Sequence, residues 1–489
     1  MLFSALLNEI EYENSVSSID VHHITNDSRE AHDDSVFVCV RGFATDGHMF
    51  ASKAYANGCR AFVAERSLSL PPNASVAIVS DSRRALALLS RKIYGDPSRE
   101  LLVIGITGTK GKTTTALMIK QLLDGAGIPA GYIGSNGVIY GNRKIAAANT
   151  TPESHKLQGY MRDMLDSSVK AVVMEVSSQA LKLNRVLGVK FDITIFTNLS
   201  PDHIGPTEHK SFEDYFLTKK KLFDEFDAPV VIANADDEYT DKILADCKSE
   251  KVFYSINNPS SYRATNIEPY FSNDILGTHF LCHTENGTVP VTLSIPGDFN
   301  VHNALCTIAV VNKAGIGCTT ATQILSDMQI DGRFETLIAP NGACFVIDYA
   351  HNGLSLMSAL TALRRYEPRR LICLFGSVGC RTQVRRAQMG NVAAKYADLS
   401  ILTSDNPDTE DPLEIINDIA AQFGDGDKYV SIPDRAEAIK YALSIAEKGD
   451  IILLAGKGHE RYQLINGRNE YFCEKEIIED LINEIRLTK

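Results

Sequence analysis

Residues 105–115 read Gly105-Ile106-Thr107-Gly108-Thr109-Lys110-Gly111-Lys112-Thr113-Thr114-Thr115, directly behind the apolar run Leu101-Leu102-Val103-Ile104. A strand running into a glycine-rich turn, with lysine and threonine at its exit, is built to hold a polyphosphate. Backbone N–H groups of the turn and of the next helix face the phosphates. Lys112 is placed to neutralise β/γ charge, and Thr113 to set its hydroxyl on Mg²⁺. Ile106 stands where the general pattern has glycine, so the loop is a variant. The chemistry this predicts is ATP use.

Three further residues follow in an order that matters. Glu175 ends the apolar run Val172-Val173-Met174, where a phosphate-loop enzyme needs a carboxylate to organise Mg²⁺. His203 lies in Asn198-Leu199-Ser200-Pro201-Asp202-His203, and Lys219 in Thr218-Lys219-Lys220-Lys221. Singly, each has an ordinary reading: a capping carboxylate, a satisfied histidine, a solvated helix face. Together behind a phosphate loop they form a candidate catalytic and metal set.

The elements that must position them are those of an α/β protein. At 489 residues the chain exceeds one ordinary core. Residues 1–97 hold short strand-like runs at 36–40, 61–64 and 76–79, and Gly95-Asp96-Pro97 reads as a linker. Residues 98–332 alternate apolar strands (101–106, 171–176, 192–198, 229–234) with amphipathic helices, the pattern of a mostly parallel sheet covered on both faces. The pattern resets at Gly332-Arg333. Residues 333–489 then read as a second doubly wound unit, with strands at 344–348, 371–375, 399–403 and 450–455. Ligands in such sheets sit at the carboxyl ends of strands.

Bulk properties narrow the function. The net charge of −12 speaks against a general nucleic-acid or anionic-membrane binder. Ten scattered cysteines without metal-type spacing predict free thiols in a reducing, cytoplasmic setting. The first 14 residues carry Glu9, Glu11 and Glu13 and lack a basic start, unlike a secretory signal. No apolar run approaches the roughly 18–20 residues of a membrane span.

The ordered set of motifs resembles the Mur ligases, ATP-dependent amide-forming enzymes of peptidoglycan precursor synthesis, and within them the UDP-N-acetylmuramoyl-tripeptide synthetase branch. Besides the residues above it includes Asp27-Ser28-Arg29, Asp46-Gly47-His48, Asn149-Thr150-Thr151-Pro152 and Gly297-Asp298-Phe299-Asn300 with Asn303. It continues through Asp331-Gly332-Arg333, Asp348-Tyr349-Ala350-His351, Asp405-Asn406-Pro407 and Gly456-Lys457-Gly458-His459-Glu460. The resemblance implies three α/β domains: a UDP-sugar-binding domain (1–97), a central phosphate-loop domain (98–332) and a Rossmann-like amino-acid domain (333–489).

It also implies roles. Gly108, Thr109, Lys110, Gly111, Lys112, Thr113 and Thr114 would hold ATP. Asn300 and Asn303 would contact adenine, Arg333 the phosphates and Asp348 the ribose. Thr113 and Glu175 would hold one Mg²⁺ on the ATP phosphates, and Glu175, His203 and a carbamylated Lys219 a second, since a carbamate offers an anionic oxygen where an ammonium would repel the cation. Ser28, His48, Asn149, Thr150, Thr151, Ser177 and Arg185 fall at the nucleotide-sugar peptide. Arg381, Asp405, Asn406, Asp408, Gly456 and Glu460 fall at the incoming amino acid. The implied protein is a cytoplasmic monomer with no nucleic-acid partner and no membrane insertion.

The implied reaction activates the carboxylate of UDP-N-acetylmuramoyl-L-alanyl-D-glutamate as an acyl phosphate, which an amine then captures. Enzymes adding meso-diaminopimelate typically read Asp-Asn-Pro-Arg, whereas this chain has Asp408 in the fourth place. An aspartate would repel the distal carboxylate of diaminopimelate and favour a terminal ammonium, so the expectation is L-lysine or a similar diamino acid. Cys380, where an acidic residue is common, also departs from the pattern. The alternatives are the same ligation with meso-diaminopimelate, with Asp408 turned to solvent and Arg385 or Arg386 supplying the guanidinium. A folylpolyglutamate-synthetase-like ligase and a phosphate-loop ATPase switch with a partner-binding domain complete the set.

Overall fold

The structure is a computed structural model, and it describes residues 1–42, 45–146, 148–202, 204–205, 208–272, 275–380, 383–426 and 428–487. His203 and Arg381 lie outside the described residues. The chain divides into two compact units, Met1–Arg263 with Leu305–Gly317, and Ala264–Ala304 with Cys318–Lys489.

The first unit holds two sheets. Strands β1 (His23–Thr25), β2 (Ser35–Val38), β3 (Ala61–Ala64) and β4 (Ser75–Ile78) pair in parallel in sequence order. The Ser82–Ile93 helix packs Ala85, Leu86 and Leu89 into their core, and Asp81 caps it by accepting from the Arg84 N–H.

The central sheet is built on β5 (Leu102–Thr107), β6 (Ala130–Gly134), β7 (Gly137–Tyr140), β8 (Arg143–Ile145), β9 (Ala171–Glu175), β10 (Ile193–Phe196), β11 (Val230–Asn234) and β12 (Glu250–Ser255). Its spatial order is β12-β11-β10-β5-β9-β6-β7-β8, with β6 to β8 antiparallel and the rest parallel. The parallel strands are near-continuous apolar runs because helices cover both faces. The β6–β8 meander was not legible, since short glycine-containing strands carry little periodicity. β13 (Tyr262–Ser272) pairs at its first residues with β12.

In the second unit, β14 (Ile275–Thr284) and β15 (Gly287–Leu293) form an antiparallel hairpin beside β13. A further sheet takes the order β16-β17-β21-β18-β19-β20. Its strands are β16 (Arg333–Ile338), β17 (Cys344–Asp348), β18 (Leu371–Phe375), β19 (Leu399–Leu402), β20 (Tyr429–Ser431) and β21 (Ile451–Ala455). Only β16 runs antiparallel. A small hairpin, β22 (Tyr462–Ile465) with β23 (Arg468–Tyr471), follows. Among the described residues, no helix is long and apolar enough to cross a membrane.

Candidate functional site

In the first unit the loop after β5 is fixed by its neighbours. Gly108 has φ +150°, and a Cβ there would lie 2.0 Å from Thr197 Oγ1, so only glycine fits. Gly111, at φ +84°, opens the Lys112–Gly125 helix, whose N-terminal end follows the loop directly. Asn198 holds the loop from the side: its carbonyl accepts from Thr109 N at 2.8 Å, and its Oδ1 from Lys110 N at 2.9 Å. Lys110 also reaches Asp202, at 3.3 Å. Thr114 is buried on the first turn of that helix.

The parallel register Ile106↔Glu175 brings the end of β9 beside the loop exit. Glu175 is buried, and its Oε1 accepts from Thr113 Oγ1 (2.9 Å), Tyr132 Oη (2.6 Å) and Ser135 N (3.0 Å). A hydroxyl and a carboxylate side by side are hard oxygen donors of the kind Mg²⁺ takes. The donor set therefore fits the cation the sequence implied, as far as the described residues reach.

Lys219, on the Phe212–Asp224 helix, is also buried. Its Nζ donates to Gly108 O at 2.9 Å and to Thr107 Oγ1 at 3.4 Å, and lies 4.7 Å from the Tyr215 ring centre. Burial, then the Lys112 charge, hold its pKa well below the ordinary lysine value, with Asp202 opposing. A lysine that loses its proton so readily can act as a nitrogen nucleophile.

Several positions implied at the nucleotide-sugar peptide gather on one loop. Thr151 Oγ1 donates to the Glu175 carbonyl at 2.8 Å and accepts from Ser177 N at 3.1 Å. Arg185 donates to Thr151 O at 3.1 Å, and Thr150 Oγ1 lies 3.0 Å from Ser135 Oγ. Asn149 is exposed on the same loop. On the turn after β1 Ser28 is buried, its carbonyl accepting from Asn57. His48 has both ring nitrogens engaged: Nε2 accepts from Glu65 N at 3.0 Å, and Nδ1 lies 2.6 Å from Asp46 Oδ1. It braces its own loop.

The second unit holds the other positions. Asn300 and Asn303 share a face of the Asp298–Lys313 helix, with Asn303 Nδ2 donating to Asn300 Oδ1 at 3.0 Å. Arg333 stacks over Tyr349 at 4.8 Å. Asp348 ends β17 and accepts from Phe334 N; burial pushes its carboxyl up to about 6 against the pull of Arg333. Gly456 has φ +115°, and a Cβ there would lie 2.7 Å from Asp405 Oδ2.

Next to it sits a buried polar group. Lys457, fully buried, donates to Asn406 Oδ1 at 2.8 Å and to Glu460 Oε2 at 2.9 Å, with Asp405 Oδ1 at 3.7 Å. Asn406 Nδ2 also donates to Glu460 Oε2, and Tyr349 Oη to Glu460 Oε1 at 3.3 Å. Asp408 stands apart. It has φ +54°, pairs through its backbone with Leu464 and Asn466, and its Oδ1 accepts from Gly467 N at 2.8 Å. Arg386 is spent on Glu410 and Asp418.

Tyr132 was not named from the sequence, and Tyr349 and Lys457 stood within the motifs without a role. A tyrosine in an apolar strand reads as core; a lysine between two glycines was the one available signal.

The chain matches three family profiles: "Mur ligase family, catalytic domain" over residues 20–103, "Mur ligase middle domain" over 106–311, and "Mur ligase, glutamate ligase domain" over 332–458. It is 39% identical to a Clostridium botulinum protein named UDP-N-acetylmuramoyl-L-alanyl-D-glutamate–2,6-diaminopimelate ligase, over 99% of this chain and 100% of that one. A protein of the same name from Caldanaerobacter subterraneus subsp. tengcongensis is 40% identical, over 96% of each chain. A solved structure carrying that name superposes with a TM-score of 0.74 at 28% identity, covering 99% of both chains.

Proposed function

The chain belongs to the Mur ligase family and is a carbon–nitrogen ligase of peptidoglycan precursor synthesis, and from that premise we propose that it uses ATP to join meso-diaminopimelate to UDP-N-acetylmuramoyl-L-alanyl-D-glutamate. The observation that carries this reading is full-length identity of 39–40% to relatives that bear that name. Those names favour the alternative over the lysine preference drawn from Asp408. The Asp408 contacts agree with that choice, because a carboxylate capping the β22–β23 turn is committed to its own hairpin. The same full-length likeness supports this ligation over a folate-type one.

In this reading residues 1–97 take the UDP-sugar, 98–332 the triphosphate and 333–489 the amino acid, in a cytoplasmic monomer. Loop N–H groups and Lys112 hold the β- and γ-phosphates. Thr113, Glu175, His203 and a carbamylated Lys219 would hold Mg²⁺, which supplies charge neutralisation at the phosphate oxygens. The substrate carboxylate attacks the γ-phosphorus, the bond to the β-phosphate oxygen breaks, and ADP leaves an acyl phosphate. The amine attacks the acyl carbon, inorganic phosphate departs, and the amine loses a proton. Glu460, with Oε2 held by Lys457 and Asn406 and Oε1 touched by Tyr349 Oη, would offer the remaining lone pair of Oε1 to the distal ammonium of the amino acid.

The test is a ligation assay with meso-diaminopimelate and L-lysine supplied together, read by product mass. The diaminopimelate adduct is expected. A lysine adduct would overturn the amino-acid assignment, and ATP hydrolysis without any amide would overturn the ligase reading.

A further inference from the structure

Arg83 lies in the first turn of the Ser82–Ile93 helix and has no assigned role. Its Nη2 donates to the Arg41 carbonyl at 3.0 Å, while its Nη1 is buried without a hydrogen-bond partner. The carboxylate on that side is Glu153, whose Oε2 is 3.7 Å away. Glu153 already serves Arg185, whose Nη2 lies 2.8 Å from Oε1. The Nε of Arg185 is likewise buried and without a partner.

Two guanidiniums thus flank one carboxylate, with side-chain exposures of only 20% and 11%. The other carboxylates around Arg83 are committed elsewhere. Asp81 caps the helix through Arg84 N, and Glu65 is taken by Ser82 and Arg41. Burial lowers the Arg83 pKa, and the Arg185 charge adds to this against the opposing pull of Glu153. An N–H buried without an acceptor costs free energy, as does a like-charge pair in a low-dielectric pocket. One oxyanion between the guanidiniums relieves both, and the planar fork of arginine suits phosphate and carboxylate alike.

We propose that Arg83 and Arg185 form a two-guanidinium slot for an oxyanion of the nucleotide-sugar peptide, with Arg83 a binding residue for that substrate. The assignment rests on the ligase reading above and adds a residue to it. Arg185 reaches the slot from the Thr151 side, so Arg83 joins the N-terminal sheet to the loop implied at that substrate. Besides the carboxylate that is activated, the substrate offers two oxyanions, the diphosphate and the free α-carboxylate of its glutamate.

The experiment compares full-length wild type, R83Q and R83K by calorimetric titration with UDP-N-acetylmuramoyl-L-alanyl-D-glutamate, alongside steady-state KM values. Loss of a charge-assisted bond weakens R83Q binding by at least about tenfold, with R83K intermediate and the KM for ATP unchanged. Two further ligands identify the anion. If UDP alone is weakened equally, the slot takes the diphosphate. If the analogue with D-isoglutamine in place of D-glutamate binds all three proteins alike, it takes the α-carboxylate. Binding by both variants within about twofold of wild type would overturn the slot while leaving the ligase reading intact. Should R83Q fail to fold, R83K at wild-type affinity overturns the slot equally. Wild type that neither binds nor ligates the nucleotide sinks both.

Discussion

Lys112 and Lys219 donate to the same acceptor, the carbonyl of Gly108, at 2.8 and 2.9 Å. Two lysines on one carbonyl oxygen repel, and the buried member yields: the charge of Lys112 is the second cause of the lowered Lys219 pKa, after burial itself. A neutral amine is the form that attacks carbon dioxide, losing a proton to leave a carbamate. ¹³C-bicarbonate should therefore give a carbamate resonance in wild type that Lys219→Gln lacks, and ligation in that variant should fall at least about a hundredfold. A bicarbonate-free preparation of full activity would refute the modification.

Lys457 is the counter-charge for Glu460 and Asp405 inside the second unit. Lys457→Met takes one cation from buried Asp405, which keeps Arg435 nearby, and from half-buried Glu460, at a cost of no more than about 3 kcal/mol in stability. In protein that still folds, the KM for the amino acid should rise while that for the nucleotide sugar stays put. Equal effects on both KM values would show a purely structural lysine.

Asp408 uses its carboxylate as a cap on the Gly467 N–H. Asparagine keeps that acceptor and tolerates the positive φ. Asp408→Asn should thus change stability by no more than about 0.5 kcal/mol and leave the choice between diaminopimelate and lysine unaltered. A switch of amino acid in this variant would restore the charge argument made from the sequence.

Asp348 has its pKa raised to about 6 by burial. The fold favours its neutral form, a contribution present in acid and lost as pH rises through about 6. Asp348→Asn should gain at most about 3 kcal/mol at neutral pH, and that gain should shrink as pH falls from about 6 and close only near the ordinary value of 3.8. Thermal unfolding across pH reads this directly; a gain independent of pH would contradict it.

Much of this protein was legible from residue order. The apolar runs that became β5, β9, β10 and β11 are buried on both faces, and such strands announce themselves without periodicity. The β6–β8 strands gave no comparable signal because they run only three to five residues and two of them contain glycine, and the β14–β15 hairpin because its exposed side interrupts the apolar run.

Local spacing by itself determined the phosphate loop, the strand-end carboxylate and the family, since those are properties of contiguous residues. Charge and availability were decided only by packing. Lys219 meets the loop from 111 residues away, Asp408 turns out to cap a hairpin that follows it, and Arg83 and Arg185 converge on Glu153 from either side of it in the chain. Whether a side chain is solvated, paired or left short of a partner depends on groups distant in sequence, and burial in the tertiary fold sets the free energy of each.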